Sequence, residues 1–122
     1  MKIINITAKH ITIDAKIRAY AEKKVQKLID YIPRRARKAA TAEMKIEKIE
    51  SKGADKIESQ IILNLPEKQL VAKEQRDGEL ASIDGAESKM LGQIRRYKTE
   101  RRENSARNGG IMGRIKKSLR TR

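Results

Sequence analysis

The sequence contains no cysteine, and this absence excludes several kinds of site. Without a thiol, the chain can form no disulfide, no thiolate metal centre and no cysteine nucleophile. It has one histidine, His10, so a single chain offers neither a histidine-based metal cage nor a two-histidine ribonuclease pair. The lack of cysteine agrees with a reducing compartment.

Long apolar segments are also missing. No uninterrupted run approaches the roughly 20 residues that a helix needs to span a bilayer, and the opening residues 1–5 are broken too soon to be a signal peptide. Ile, Leu, Val and Phe make up about 21% of the 122 residues, just above the level of disordered chains. We therefore expect a cytoplasmic protein with one small core and no membrane-spanning segment.

Positive charge is what the chain has in excess. It carries 30 Lys and Arg against 16 Asp and Glu, a formal net charge of +14. A charge of this size predicts a polyanionic partner, which is RNA, DNA or an anionic membrane surface. Residues 99–122 hold eight basic and two acidic residues, net +6, which leaves +8 for residues 1–98.

Hydrophobic periodicity predicts four strands and two long helices. Residues 2–8 are typical of a buried strand, and a helical period follows from Asp14 until Pro33 ends it. An alternation of period two begins at Ala42, and turn residues divide it into three strands. A second helix is expected after Asp77 or Gly78. The helical apolar positions are Ile17, Ala21, Val25, Leu28 and Ile32, then Leu80, Ile83, Met90, Leu91 and Ile94, with Tyr97 at the margin.

The element order β-α-β-β-β-α predicts the fold class. A strand-helix-strand unit makes its strands parallel through a right-handed crossover, and three strands joined by short turns form an antiparallel meander. Two helices with one apolar stripe each can pack on one face of the sheet. We predict an α+β fold, a two-layer sandwich, with a basic loop at 34–38 and a bulge or strand end near Ile49.

After the second predicted helix, apolar residues no longer recur at helical spacing. The sequence there is basic and contains Asn108-Gly109-Gly110. We predict an α+β domain over residues 1–98 and a flexible basic tail over residues 99–122.

A projection of each predicted helix places most of its basic residues on the side opposite the apolar residues. Ammonium groups there can meet phosphates, while a phenol ring can stack on an unpaired base. The alternative is a solvated face on which tyrosines cover lysine stems. If both helices lie on one sheet face, their outer surfaces form one continuous basic wall. The residues are Lys16, Tyr20, Lys23, Lys24, Lys27 and Tyr31 on the first helix, flanked by Arg18, and Lys89, Arg95, Arg96 and Lys98 on the second.

Signals for catalysis are weak. The Gly-rich segment 108–113 lacks the spacing of a phosphate-binding loop and has no strand before it. Asp84 and Glu87 share a helix face, but we interpret them as partners of nearby Lys or Arg side chains. Enzyme activity is therefore disfavoured, and no metal, cofactor or small-molecule substrate is expected.

Three strings of residues point to a family. They are Ile4-Asn5-Ile6-Thr7, then Ile17-Arg18-x-Tyr20-Ala21-x-x-Lys24-Val25-x-Lys27-Leu28 with Tyr31 after it, and Ala81-Ser82-Ile83-Asp84-x-x-x-x-Lys89-Met90-x-x-Gln93-Ile94. In this order and spacing, roughly residues 2–100 resemble the ribosome hibernation promoting factor and ribosome-associated inhibitor A family. The chain departs from many relatives at Leu80, where they have an aromatic residue, and at Gly92, where they have a basic one. It resembles the short forms, which lack the C-terminal dimerisation domain of the long forms.

The resemblance implies a fold akin to double-stranded-RNA-binding domains and a partner, the small ribosomal subunit with its ribosomal RNA. Such proteins lodge in the decoding region, where they block mRNA and tRNA and inhibit translation in stress or stationary phase. Matching positions imply RNA contacts at Arg18, Lys24, Lys27 and Lys89. The helical projection adds Lys23, Arg95, Arg96 and Lys98.

Other functions share the fold and the charge. One is a general duplex-RNA-binding protein or a ribosomal structural protein. Another is a small RNA-processing enzyme, which needs a catalytic group beyond His10. A membrane-surface role for residues 111–122 is a further alternative, but their apolar stripe is too short to anchor stably alone.

Overall fold

The computed structural model describes residues 3–109, with the side chains of residues 4–50 and 52–101. The elements follow the predicted order, with one short helix added. They are β1 (Ile3–Lys9), α1 (Ala15–Asp30), α2 (Arg34–Arg37), β2 (Thr41–Ser51), β3 (Ala54–Leu65), β4 (Lys68–Arg76) and α3 (Glu79–Gly109). Within residues 3–109, no helix combines the length and the apolar character needed to cross a membrane.

The four strands form one mixed sheet in the order β1-β2-β3-β4. β1 runs parallel to β2, while β2–β3 and β3–β4 are antiparallel. α1 packs over β1 and β2, and α3 packs over β3 and β4 on the same face. Because β4 is parallel to β2 and each helix returns along the strand before it, α1 and α3 run in the same direction. The predicted two-layer α+β sandwich is confirmed.

The core lies between the helices and one face of the sheet. On β3, for example, alternate residues from Ile57 to Leu65 are buried. The apolar helix positions line this core with two corrections: Leu80 is 50% exposed, whereas Tyr97 is only 2% exposed. At 100° per residue, Leu80 lies about 80° from the centre of the buried stripe and Tyr97 about 20°. The tyrosine therefore belongs to the core, and the leucine lies beside it.

One polar pair is buried in this core. The hydroxyl groups of Ser59 on β3 and Ser82 on α3 lie 2.7 Å apart, and both residues are fully buried. Ser82 also donates to the carbonyl oxygen of Glu79 at 2.8 Å, so Ser59 donates to Ser82. Both hydroxyls are thereby hydrogen-bonded, which offsets the cost of burying them.

The two ends of α1 are fixed by side-chain caps. The Asp14 carboxylate accepts a hydrogen bond from the main-chain N–H of Ile17 at 2.8 Å, as the predicted N-cap requires. At the other end, Arg37 donates to the carbonyl oxygens of Asp30 and Ile32 at 3.0 and 3.1 Å. The prediction of a basic loop at 34–38 is wrong. Residues 34–37 form a helical turn instead, because Arg37 folds back on the end of α1 while Ala36 is buried.

The β2–β3 hairpin turns at Lys52 and Gly53. Both residues have positive φ, 53° and 79°, the pattern of a two-residue type I′ turn. The register runs without interruption from Thr41 to Ser51, so no bulge occurs near Ile49 and the strand ends two residues later. Ile49 does not fit the alternation of apolar residues at 42, 44 and 46, because its side chain lies on the sheet face opposite the helices.

Replacing glycine by alanine should have opposite effects at Gly53 and Gly92. An added Cβ meets no atom within 4 Å at either site, so the change in stability depends only on the backbone conformation there. Gly53→Ala should lower the free energy of unfolding by about 1 kcal/mol, because its φ is left-handed. Gly92→Ala, inside α3, should raise it by about 0.5–1 kcal/mol. Urea denaturation measures both changes, and equal signs would contradict the assignment.

The β3–β4 turn holds the far part of α3. The Tyr97 hydroxyl donates to Glu67 at 2.5 Å, and Arg101 contacts both carboxylate oxygens of Glu67 at 2.8 Å. Lys68 pairs with Glu100 at 3.1 Å. α3 continues to Gly109, past residue 98, so the first part of the predicted tail is helical. Residues 110–122 lie outside the described part of the chain, and the division at residue 98 stays a prediction.

This contact should make stability depend on pH through Glu67. The hydrogen bond from Tyr97, together with the charge of Arg101, lowers the pKa of the Glu67 carboxyl. A lowered pKa in the folded state means that the stabilisation is present above the ordinary glutamate pKa of about 4.3 and is lost as pH falls through the folded-state value. Between pH 6 and pH 3, the wild-type protein should therefore lose more stability than Glu67→Gln.

The matched control is Glu22→Gln, because Glu22 is exposed on α1 and its side chain makes no hydrogen bond or ion pair among the described residues. Its pH profile, followed by thermal unfolding, should match that of the wild type. A Glu67→Gln profile identical to both would contradict the role of this carboxylate.

Candidate nucleic-acid interface

The outer surface of α1 carries exposed lysines without ionic partners. Lys16, Lys23 and Lys27 are exposed and make no ion pair with any described residue. They are separated by seven and four positions, so they follow one side of the helix. This arrangement leaves three ammonium groups available to an anionic partner.

Lys24, by contrast, faces α3. Its side chain is 22% exposed, and its ammonium group lies 3.3 Å from Glu87 and 3.7 Å from Asp84. The Tyr20 hydroxyl donates to Asp84 at 2.5 Å, and the ammonium group lies 5.3 Å from the centre of the Tyr20 ring. We call Tyr20, Lys24, Asp84 and Glu87 the interhelical cluster. It confirms Asp84 and Glu87 as partners of a basic side chain.

The interhelical cluster favours one protonation state. Partial burial works to lower the pKa of Lys24, but the hydrogen bond and charge of Glu87 outweigh it, and the pKa is raised. The hydrogen bond to Asp84, with some burial, raises the pKa of Tyr20. At neutral pH, Lys24 is therefore charged and Tyr20 is neutral. Among the described residues, no group of three or more acidic or histidine side chains could hold a metal ion.

Arg18 and Lys89 contact the sheet. Arg18 donates to the carbonyl oxygen of Ile6 on β1 at 2.9 Å. Lys89 lies 2.8 Å from Glu74 and donates to the carbonyl oxygen of Lys73 at 2.9 Å. Gln93, one turn further, donates to the carbonyl oxygen of Val71 at 2.7 Å. Because β4 is a sheet edge, Lys89 and Gln93 cover main-chain carbonyl groups that would otherwise be open to another strand.

The other α3 cations predicted to contact RNA have no ion pair among the described residues. Arg95 and Arg96 are exposed, and Lys98 is half-buried. At 100° per residue, Arg96 falls on the same side as Lys89, toward β4, while Lys98 falls on the side of Glu87, toward α1. The predicted α3 cations thus lie on two sides of the helix.

These positions correct the expectation of a continuous basic wall. The carboxylates of Asp84 and Glu87 lie between α1 and α3, and they occupy Lys24. Lys89 is paired with Glu74 at the opposite side of α3. The ion pairs join residues far apart in sequence, so a projection of each helix alone could not show them. Whether the predicted residues contact RNA stays a prediction.

Comparison with known proteins places this geometry in a family. The family described as Sigma 54 modulation protein / S30EA ribosomal protein matches residues 4–102. The chain belongs to this family. Membership confirms the resemblance to the ribosome hibernation promoting factor and ribosome-associated inhibitor A family, and it makes the chain a ribosome-associated modulation protein. No curated protein matches the sequence.

Solved structures of similar proteins agree with the family assignment. The N-terminal domain of Protein Y from Thermus thermophilus is 25% identical, with a TM-score of 0.63, and the match covers 80% of this chain and 99% of that domain. A ribosomal subunit interface protein from Coxiella burnetii is 21% identical, with a TM-score of 0.63 and coverage of 81% and 99%. The second likeness shows the fold alone.

The charge of this family member is unevenly distributed over its elements. Residues 15–40, which contain α1 and α2, hold nine basic and two acidic residues, net +7. Residues 41–78, which contain β2 to β4, hold seven basic and eight acidic residues, net −1. Residues 79–101 of α3 hold five basic and four acidic residues, net +1. The positive surface of the described part therefore belongs mainly to α1 and α2.

Removing the carboxylates of the interhelical cluster should strengthen RNA binding. Asp84→Asn with Glu87→Gln frees Lys24 from competition with phosphate. Ion pairs near the surface contribute about 0.2–1 kcal/mol each, so the affinity should rise roughly threefold or more. Fluorescence anisotropy with a labelled RNA duplex at low salt measures the change.

The control for this variant is Glu43→Gln with Glu47→Gln. Both residues lie on the outer face of the sheet, opposite the helices, and the change in net charge is the same. We expect a smaller gain from this variant. Equal gains from both would mean that net charge, rather than release of Lys24, controls the affinity.

Proposed function

We propose that this protein is a non-enzymatic ribosome hibernation factor of the cytoplasm. It binds the decoding region of the small ribosomal subunit and sterically blocks mRNA and tRNA, which inhibits translation in stress or stationary phase. The observation that carries the proposal is the family match over residues 4–102, together with exposed α1 lysines, such as Lys23 and Lys27, that lack ionic partners among the described residues. No cofactor or small-molecule substrate takes part.

The mechanism rests on a rigid body and a charged surface. The sheet and both helices share one core, so the helical layer approaches RNA as a unit and loses little conformational freedom on binding. Phosphate contacts from α1 supply affinity without reading sequence, and that affinity falls steeply as salt rises. Orientation comes from the shape of the layer, because phosphate contacts fix position without distinguishing bases.

The proposed RNA contacts differ in how freely they can be made. Lys23, Lys27, Arg95 and Arg96 are exposed and unpaired within the described residues, so they can meet phosphates directly. Lys24 and Lys89 must first break their ion pairs with Glu87 and Glu74 before they can bind a phosphate. Arg18 keeps further donors beyond the one that contacts Ile6. Lys98 is half-buried and contributes charge from the α1 side of α3.

Charge reversal of the exposed contacts should abolish binding. Lys23, Lys27, Arg95 and Arg96, all changed to Glu, replace four attractive groups by repulsive ones. The variant should no longer sediment with vacant small subunits at moderate salt, whereas the wild type should. Circular dichroism should stay unchanged because the four side chains are exposed.

A variant with the same change in net charge serves as control. Lys9, Lys45, Lys48 and Lys52 are exposed on β1, β2 and the hairpin turn, and none of them makes a hydrogen bond or ion pair with α1 or α3 among the described residues. Changed to Glu, they should leave sedimentation largely intact. Absence of wild-type sedimentation would refute the proposal. Equal wild-type affinity for free duplex RNA and for small subunits would favour a general duplex-RNA-binding protein or a ribosomal structural protein instead.

A further inference from the structure

The corner between α1 and α2 carries cations that no described residue neutralises. Arg34, Arg35 and Lys38 are exposed, and none makes an ion pair or a side-chain hydrogen bond within the described part of the chain. Tyr31, at the end of α1, is 43% exposed, and its hydroxyl has no hydrogen-bond partner there either. We call Tyr31, Arg34, Arg35 and Lys38 the corner cluster.

The backbone beneath the corner cluster is held firmly. Ile32, Ala36 and Ala40 are all buried in the core. The main-chain N–H of Arg37 donates to the carbonyl oxygen of Pro33 at 2.9 Å, and that of Ala40 donates to the carbonyl oxygen of Arg37 at 3.2 Å. Buried residues therefore alternate with the exposed cations, and binding would not have to order a loose loop.

Arg37 offsets the negative charge that would otherwise repel an anion from this corner. A helix C-terminus carries a partial negative charge that repels phosphate. The Arg37 guanidinium contacts the carbonyl oxygens of Asp30 and Ile32, which flank Tyr31, and so offsets this charge. Residues 31–38 contain four basic residues and no acidic one. The neighbouring Asp30 carboxylate already accepts a hydrogen bond from Gln26 at 3.0 Å.

We propose that the corner cluster binds an unpaired segment of ribosomal RNA, with the Tyr31 ring stacked on a base and the three cations on its phosphates. Arginine guanidinium groups match phosphate oxygens in pairs. An exposed ring favours a single strand over a duplex, because the bases of a duplex offer no free face. A membrane surface fits less well, since one tyrosine ring supplies little apolar area for insertion. The choice of ribosomal RNA rests on the proposed function.

Binding of the full chain to a labelled single-stranded RNA of about 12 nucleotides tests the site by fluorescence anisotropy. The corner variant changes Arg34, Arg35 and Lys38 to Glu. Its affinity should fall tenfold or more, and the slope of log affinity against log salt should become shallower by about 2. The control changes Lys9, Lys45 and Lys73 to Glu, an equal change in net charge on strands away from the corner, and should lose far less.

Variants of Tyr31 distinguish the contribution of ring stacking to RNA binding from that of the cations. Tyr31→Ala should weaken binding of the single strand about fivefold or more, while Tyr31→Phe, which keeps the ring, should bind as the wild type does. Neither variant should weaken binding to a duplex or to anionic phospholipid vesicles. Equal losses from the corner variant and its control, an unchanged corner variant, or a Tyr31→Phe variant as weak as Tyr31→Ala would each overturn the proposal.

Footprinting of small subunits identifies the source of the RNA. The corner variant should lose protection at one unpaired segment while the rest of the wild-type footprint persists. If the wild type binds subunits and the corner variant gives the same footprint, the corner inference is wrong and the proposed function stands. If the wild type does not bind subunits yet binds the oligonucleotide through the corner, the proposed function and the ribosomal source are wrong, while the single-strand site itself stands.

Discussion

Burial of one apolar stripe from each long helix against the same face of the sheet is the constraint from which the other features follow. Val25 and Leu28 on α1 and Ile83 and Met90 on α3 are buried there. The opposite sides of both helices must then face solvent. Most of the positive charge is on these helices and on α2, while the segment of β2 to β4 carries net −1. The same packing that makes the core therefore makes a charged surface with one basic side.

Packing the two helices side by side also creates an electrostatic problem, which the interhelical cluster resolves. α1 is strongly basic and its Lys24 faces α3, where Glu87 and Asp84 place negative charge next to the ammonium group. Fastening the helices in this way occupies a lysine that could otherwise bind phosphate. The cations without ionic partners among the described residues lie mainly on the outer side of α1 and at the corner with α2, with Arg95, Arg96 and Lys98 on α3. Helix packing therefore competes with the proposed RNA binding for the charge of Lys24.

Much of the fold could be predicted because its signals are local. The period of the apolar residues predicted the helices and strands, and Asp14 and Pro33 marked the ends of α1. The errors have local and non-local causes. The sequence predicts Tyr97 at the margin of the apolar stripe, yet Glu67 of the β3–β4 turn accepts its hydrogen bond and allows burial. The turn at 34–37 depends on the hydrogen bonds from Arg37 to the carbonyl oxygens of Asp30 and Ile32, and no residue pattern predicts such a contact.

The sequence by itself determined the order of the strands and the two long helices, the parallel crossover, the basic charge and the family, because each follows from the local order of residue types. Only the tertiary structure decided which predicted RNA-binding residues are free. Lys23 and Lys27 are lysines on the same helix as Lys24, but α3 brings Asp84 and Glu87 to Lys24 alone among these three. Those partners lie some sixty positions away along the chain. Ion pairs depend on distances of a few ångströms, and packing of the helices sets such distances between residues so far apart in sequence.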